Sequence, residues 1–135
     1  MVWIVTQLRV TEAAAFLGVS DDTVRRWIDS GDLIAARGAG RTTVDGTSVA
    51  RLAKERAAAL ADISGLSSSA RNRFVGIVTD VTSDKVMSQV ELQCGPFRVV
   101  SLMSSEAVAD MELKPGSVAT AVIKSTNVIV EKGPS

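Results

Sequence analysis

Residues 10–33 read VTEAAAFLGVSDDTVRRWIDSGDL, and this stretch predicts two short helices joined by a tight turn. Thr11 is placed to cap a first helix that runs to about Leu17. Ser20 can cap a second helix, and Gly31 follows at the position where that helix is expected to end. Two helices of this length joined by a glycine-containing turn are typical of a helix-turn-helix.

The residues that follow predict a β-hairpin and a third helix. The hairpin strands are Leu33–Ala36 and Thr42–Val44, and they flank a basic, glycine-rich tip, Arg37–Arg41. A third helix over about Thr47–Ala61 carries its apolar residues on one stripe. We therefore expect residues 1–62 to form a helix-turn-helix domain with a wing, a unit suited to binding DNA.

The sequence changes character after residue 62. Residues 63–68, ISGLSS, are small and polar, as is typical of a linker. Residues 69–135 alternate in the manner of strands and predict a second domain, a small five-stranded OB-like barrel with one short helix near Ser105–Met111. The predicted fold class is therefore α+β with two domains. The expected strands are Phe74–Val81, Val86–Gln93, Phe97–Met103, Val118–Lys124 and Val128–Glu131.

The composition excludes several kinds of site. The 135 residues include no histidine and one cysteine, Cys94, which rules out a histidine-based triad, a Cys/His zinc site and an intrachain disulfide. Fifteen basic residues balance fifteen acidic ones, and each predicted domain is itself neutral, so net charge points to no partner. No apolar stretch is long enough to span a bilayer and no signal peptide is recognised, which favours a cytoplasmic protein.

Basic side chains of the first domain are candidates for contact with DNA. Two project from the second helix, away from its apolar face, and two bracket the hairpin tip, which suits a helix in the major groove and a wing on the phosphate backbone. These residues are Arg25, Arg26, Arg37 and Arg41. Asp22 and Asp29 lie three or four residues from the helical pair, so intrahelical surface ion pairs are an open alternative.

Residues 10–33 resemble the winged helix-turn-helix of MerR-type and excisionase-type DNA-binding proteins. The shared elements are the Glu-Ala-Ala start, the Leu-Gly-Val-Ser turn, the Thr-Val-x-x-Trp-Ile helix and the Gly-x-Leu exit, within a likeness over about residues 8–55. The resemblance implies double-stranded DNA as a partner, contacted from the second helix and the wing at Arg25, Arg26, Arg37 and Arg41. The chain departs from many relatives at Asp21-Asp22, where basic or neutral polar residues are usual.

Two short segments of the second half concentrate hydrogen-bond donors. Ser69 and Arg71 lie two residues apart, so their side chains point to the same side of an extended segment. Lys124 and Ser125 add an ammonium group, a hydroxyl and backbone N–H groups near the other end of this half. Together these donors suit a small tetrahedral dianion, whereas each taken singly is usually a solvated surface side chain.

Residues 69–132 resemble the Mop, or TOBE-type, molybdate-binding domain of molbindins and ModE-like regulators. The likeness rests on Ser69-Ala-Arg-Asn-Arg73, Met103-Ser-Ser-Glu106, Leu113-Lys-Pro-Gly116 and Val122–Val128. It implies sites that form between the subunits of a homo-oligomer, which assembles through this domain. It also implies that molybdate or tungstate is held there by Ser69, Arg71, Ser104, Lys124 and Ser125.

These features favour a molybdate-responsive transcriptional regulator. The alternative is a molybdate or tungstate storage or homeostasis protein with a structural helix-turn-helix, which Asp21, Asp22 and the neutral first domain favour. An enzyme is not expected, since no residues stand at triad or metal-ligand spacing. A single-strand nucleic-acid binder would need stacking aromatics, and the barrel offers only Phe74 and Phe97.

Overall fold

The chain divides into two compact units, Met1–Gly65 and Leu66–Ser135. A computed structural model describes residues 6–38, 40–58 and 67–134, with the side chains of residues 37, 38 and 58 left out. Each unit has its own buried apolar cluster, one beneath the helices and one on the sheet. The predicted α+β class with two domains is confirmed. Most of the predicted linker, residues 63–66, lies outside the described residues.

The first unit combines three helices with a small sheet. The antiparallel sheet has the order β1-β3-β2, and its hairpin β2–β3 is the predicted wing. The elements are β1 (Gln7–Arg9), α1 (Val10–Leu17), α2 (Asp21–Ser30), β2 (Ala35–Gly38), β3 (Arg41–Asp45) and α3 (Gly46–Ala58). The last three residues expected in the third helix, 59–61, lie outside the described part of the chain.

The ends of α2 follow the sequence prediction. The Ser20 hydroxyl accepts the backbone N–H of Thr23 at 3.2 Å, which satisfies one of the free amides of the first turn. Gly31 ends the helix with φ of 87°, in the left-handed region that glycine adopts at little cost. The helix is therefore fixed at both ends by residues that the sequence identifies.

The start of α1 differs from the prediction that Thr11 caps it. The helix begins at Val10, with Arg9 in the capping position. The Glu12 carboxylate accepts the backbone N–H of Arg9 at 3.0 Å, which ties the first turn of the helix to the residue before it. The prediction of a Thr11 cap is wrong because the helix begins one residue earlier, which places Thr11 inside the first turn.

The core of the first unit lies between the helices and the sheet. Val24 and Val44 are fully buried, and Leu33 is almost so. Ser48, also buried, accepts the N–H of Ile34 at 3.1 Å and donates to the Asp45 carbonyl at 2.7 Å. This hydroxyl joins α3 to both sides of the wing, so the wing is held to the helical core by a buried polar contact.

The second unit is a curled antiparallel sheet with the order β6-β5-β4-β7, a half-barrel with one helix. A register shift between Val78 and Asp80 bends the long strand β4. The cluster beneath includes Val90, Leu92 and Cys94 from β5 and Val108 from the helix. The elements are β4 (Asn72–Ser83), β5 (Met87–Cys94), β6 (Phe97–Ser104), α4 (Ser105–Asp110) and β7 (Val118–Ile123), followed by a short helical turn, Ser125–Asn127.

The predicted fifth strand, Val128–Glu131, has no regular secondary structure, so the described sheet has four strands. Its apolar residues are largely in solvent, with Ile129 86% and Val130 87% exposed. A strand exists only when a neighbour completes its hydrogen bonds, and no such neighbour is found in the described part of this chain. Among the described residues, no helix has the length and apolar character needed to cross a membrane.

Candidate functional site

Three arginines from three different elements of the first unit line one open cleft. Arg9 ends β1, Arg25 lies on α2 and Arg41 begins β3. The cleft has a volume of about 470 Å³, and we call it the arginine cleft. Among the residues that the structure describes, the lining also includes Val10, Thr11, Gly40 and Thr42, and none of its members is acidic.

The strand register accounts for the nearness of two of these side chains. Arg9 is paired with Thr43, and Arg41 is two residues from Thr43 along the same strand. Since paired residues and residues two apart share a face of a sheet, Arg9 and Arg41 project from the same face of β1–β3. Arg25 reaches the cleft from α2, where it follows the buried anchor Val24.

Arg25 and Arg26 of α2 do not form the intrahelical ion pairs that the sequence left open. In the part of the chain that the structure describes, no carboxylate lies within 4.0 Å of Arg25, Arg26 or Arg41. Arg26 donates from Nη2 to the hydroxyl of Thr23 at 3.2 Å. The charges of Arg25 and Arg41 therefore remain available to an external anion.

Arg9 differs from its two neighbours because it has an acidic partner. Its Nε donates to Oε1 of Glu12 at 3.1 Å, and the same carboxylate oxygen accepts the backbone N–H of Arg9. These bonds, the backbone one first, hold the pKa of Glu12 below its usual value. The ionised carboxylate therefore holds the Arg9 guanidinium at the N-terminus of α1.

The four arginines predicted from sequence do not all reach the cleft. Arg25 and Arg41 lie in it, whereas Arg26 is exposed elsewhere on α2. Arg37 belongs to β2, but its side chain lies outside the description. Arg9 is the member that the sequence reasoning missed. In the sequence, Arg9 is marked only by its position directly before the helix-turn-helix. Its nearness to Arg41 follows from the register of β1 with β3, which the sequence does not give.

The second unit gathers four of its predicted donors at one end of the sheet. Ser69 and Arg71 precede β4, and Lys124 and Ser125 follow β7. The first residue of β4, Asn72, is paired with the last residue of β7, Ile123, so the two donor segments leave the sheet side by side. The Asn72 side chain donates to the Ile123 carbonyl at 3.0 Å and ties them together.

The fifth predicted donor, Ser104, lies at the opposite end of the sheet. It ends β6 and pairs with Met87, the first residue of β5, whereas Arg71 stands before the first residue of β4. The twelve residues of β4 separate the two ends, which corresponds to about 36 Å of strand. One subunit therefore does not bring Ser104 together with the other four donors.

Ser104 nevertheless has a hydroxyl proton to donate. As the cap of α4, its Oγ accepts the backbone N–H of Ala107 at 3.1 Å. A serine hydroxyl accepts through its lone pairs and donates through one proton, so this contact leaves the proton for another acceptor. The geometry of Ser104 is that of a fixed hydroxyl donor facing solvent.

The charges at the four-donor end are also unopposed. Ser69, Arg71, Lys124 and Ser125 are all exposed, and no carboxylate in the described ranges lies within 4.0 Å of Arg71 or Lys124. Two cations with adjacent hydroxyls match the charge and the hydrogen-bonding capacity of a tetrahedral dianion. The two segments therefore place positive charge and hydroxyl groups together at one solvent-exposed end of the sheet.

The inner face of the half-barrel is an apolar hollow formed by β5, β6 and β7. It has a volume of about 360 Å³ and is lined mainly by aliphatic side chains, among them Val99, Met103, Leu113 and Val122. Part of this apolar lining is in solvent, with Met111 60%, Val122 46% and Val100 42% exposed. A contiguous exposed apolar surface of this kind marks an interaction site.

Comparisons with known proteins treat the two units separately. Residues 68–130 match the TOBE domain family, and residues 8–57 match a helix-turn-helix domain family. Molybdenum-pterin-binding protein 3 of Clostridium pasteurianum is 39% identical over 66 residues, which are 48% of this chain and 97% of that protein. Molybdenum-pterin-binding protein 1 of the same organism is 35% identical over the same shares.

Solved structures also align with about half of the chain. A molybdate-binding protein from Sporomusa ovata is 28% identical, covering 50% of this chain and all of that one with a TM-score of 0.48. MopII from Clostridium pasteurianum is 34% identical, covering 49% of this chain and all of that one with a TM-score of 0.46.

Proposed function

The chain belongs to the TOBE-domain family through its second unit, and we propose that it is a molybdate-responsive transcriptional regulator. The observation that carries the proposal is the pairing of two features in one chain. One is a helix-turn-helix whose arginine cleft has no acidic residue in its described lining, and the other is a half-barrel in which no described carboxylate lies within 4.0 Å of Arg71 or Lys124. The first unit would bind double-stranded DNA and the second would bind the anion. Relatives of the second unit are named for binding molybdenum-pterin, which supports molybdate, or the similar tungstate, as the ligand.

The proposed anion site is shared between two subunits. Ser69, Arg71, Lys124 and Ser125 of one subunit bind the anion on one side, and Ser104 of a second subunit donates its free hydroxyl proton from the other. The separation of Ser104 from the other donors within one chain supports this division. A twofold arrangement would create two such sites, because each subunit contributes both parts.

The apolar hollow supports the homo-oligomer that this site requires. A single chain leaves Val100, Met111 and Val122 of this lining exposed, although burying each apolar side chain would contribute about 1.5–3 kcal/mol. A second copy of the half-barrel offers a surface of the same apolar character. We propose that assembly through this face both covers the hollow and completes the anion sites.

We assign DNA binding to α2 and the wing. The proposed contacts are Arg25, Arg26, Arg37 and Arg41, with the helix in the major groove and the wing on phosphate. An anion bound between subunits would favour one spacing of two helix-turn-helix units and so alter the affinity for paired half-sites.

The proposed domain boundaries are residues 1–62 and 69–135, with 63–68 as the linker. We further propose that the chain is a cytoplasmic binding protein rather than an enzyme.

One observation favours a second candidate function, storage or homeostasis of molybdate or tungstate. Asp21 and Asp22 lie in the first turn of α2, beside the helix face that would approach DNA. Two carboxylates near phosphate weaken binding by charge repulsion. On this alternative the first unit is structural, and the protein binds the anion but has no affinity for a specific DNA sequence.

Fluorescence anisotropy with labelled DNA from the chain's own upstream region tests the proposal. Molybdate that saturates the protein, as judged by calorimetry, should change the DNA dissociation constant at least about fivefold, the usual lower range of allosteric coupling. Arg71→Ala should bind the same DNA without responding to molybdate, and sulfate serves as the control anion. An unchanged DNA affinity at saturation overturns the regulator, and anion binding without DNA binding supports storage.

A further inference from the structure

We propose that Arg9 is a further DNA-binding residue, and that it forms with Arg25 and Arg41 a site for one backbone phosphate. The inference rests on the proposed DNA-binding function of the first unit. It adds a contact from β1, an element outside both α2 and the wing. The three guanidinium groups line the same cleft, and none of the described residues in its lining is acidic.

Like charges that share a cleft repel one another unless an anion lies among them. Arg9 and Arg41 project from one face of the β1–β3 pair, and Arg25 approaches from α2. The hydroxyl-bearing residues Thr11 and Thr42 also line the cleft and can donate to phosphate oxygens. The cleft therefore offers both charge and hydrogen bonds to a tetrahedral oxyanion.

Glu12 acts as a positioning residue for Arg9. Its carboxylate oxygen accepts from the Arg9 backbone N–H at 3.0 Å and from Nε at 3.1 Å. A guanidinium has five N–H donors, so the pair of Nη groups, with four donors, stays available for phosphate. Because the fork is planar, fixing Nε also fixes the direction in which the Nη groups point.

A free oxyanion and a DNA phosphate share the chemistry that this cleft would recognise. The DNA phosphate is favoured because the cleft is open and two of its arginines come from α2 and the wing, the elements proposed to meet the duplex. A phosphate diester remains attached to the duplex while these elements hold it. The test must therefore distinguish a DNA phosphate from a free anion bound in the same cleft.

The test measures the dissociation constant of the full-length protein for duplex DNA over a series of KCl concentrations. Each phosphate contact contributes about 0.9 to the slope of log affinity against log salt. Arg9→Gln should lower that slope by about one and weaken binding to all sequences alike, whereas Arg9→Lys should keep the slope. Arg51→Gln is the matched control, since Arg51 is an exposed arginine of α3 outside the cleft.

A second variant tests the same site without removing Arg9. Glu12→Gln keeps an oxygen that can accept from Arg9 but removes the negative charge that pairs with the Arg9 guanidinium. Binding at low salt should therefore tighten severalfold. Glu55→Gln, at an exposed acid of α3, is its control and should leave the affinity unchanged. Thermal unfolding of every variant establishes that the first unit is folded.

The outcomes separate the two proposals. Wild-type binding with a steep salt slope that Arg9→Gln leaves unchanged overturns the role of Arg9 and leaves the regulator standing. Absence of wild-type DNA binding overturns both. Calorimetry with inorganic phosphate and with molybdate, in the absence of DNA, completes the test. Heat that Arg9→Gln abolishes would identify a free-anion site and overturn the assignment to DNA.

Discussion

The side-chain amide of Asn72 donates to the carbonyl of Ile123 at 3.0 Å, across the ends of the two strands that carry the proposed anion donors. Arg71 directly precedes this pair and Lys124 directly follows it. The bond therefore sets the separation between the two segments without itself occupying the site. It is a positioning contact that is partly shielded from solvent.

Asn72→Ala should weaken molybdate binding although no direct ligand is lost. A net hydrogen bond contributes about 0.5–1.5 kcal/mol, which corresponds to an increase in the dissociation constant of about 2–10-fold. Calorimetric titration measures the dissociation constant for molybdate in each variant. Gln93→Ala is the matched control because it also removes an amide-to-carbonyl bond, from Gln93 to Gly95 at 2.9 Å. Equal affinities for Asn72→Ala and the wild type would contradict the positioning role.

Arg71→Ala and Ser104→Ala should complement each other if the anion site is shared between subunits. Each variant alone should lose molybdate binding. Co-expressed in equal amounts, they would form mixed dimers in which one site combines the intact Arg71 of one chain with the intact Ser104 of the other. Random pairing in a twofold dimer would restore about a quarter of the sites. Molybdate stoichiometry measures this fraction, and a mixture that binds nothing would contradict a shared site.

Gly76→Ala should destabilise the second unit. An added Cβ would lie 2.6 Å from the Cys94 sulfur and 2.6 Å from the Gln93 carbonyl oxygen, far inside normal contact distance. The backbone oxygen cannot swing aside, so we expect a loss of about 1–3 kcal/mol in the free energy of unfolding, as for overpacked cores. Urea denaturation measures the free energy of unfolding of each variant. Gly133→Ala, with open space around its Cβ, should change nothing.

Asp84 should make the stability of the second unit depend on pH in the acid range. Its carboxylate accepts the backbone N–H groups of Met87 and Val86, each at 2.8 Å, and these bonds hold its pKa below the usual value. Because the pKa is lower in the folded state, the stabilisation is complete above the unfolded value of about 3.9. It is lost as pH falls through the folded value.

Asp84→Asn should therefore lower the unfolding temperature at pH 7 and leave it unchanged in strong acid. Circular dichroism melts over a pH series measure the difference between variant and wild type. Asp80→Asn is the control, since no hydrogen bond to the Asp80 side chain is found in the described part of the chain. If the difference in unfolding temperature stayed the same at pH values below the folded-state pKa of Asp84, the proposed pH dependence would be contradicted.

Local chemistry explains what the sequence could predict. Ser20 and Gly31 mark the ends of α2 because a hydroxyl cap and a left-handed glycine act within a few residues of themselves. The strands β4 to β7 were predictable from alternation of side chains, a property of single segments. By contrast, Val128–Glu131 has the composition of a strand, but forming one depends on a neighbour that composition does not specify.

The sites were harder to predict because they depend on register and strand order. Arg9 and Arg41 are 32 positions apart in sequence and meet through the pairing of Arg9 with Thr43. Ser104 entered the predicted anion set through resemblance alone, and only the order β6-β5-β4-β7 reveals that it lies at the other end of the sheet. No pattern within a single segment contains either relationship.

The outer edges of β6 and β7 have no strand beside them in the described sheet. Under the proposed assembly, the last step of folding for the second unit is an encounter between two chains, and its stability depends on protein concentration. Until that encounter, each newly made chain presents open strand edges that can pair with other chains. The concentration of the protein would then affect the response as well as the concentration of the anion. At a low protein concentration the chains would not assemble, and the shared anion sites would not form.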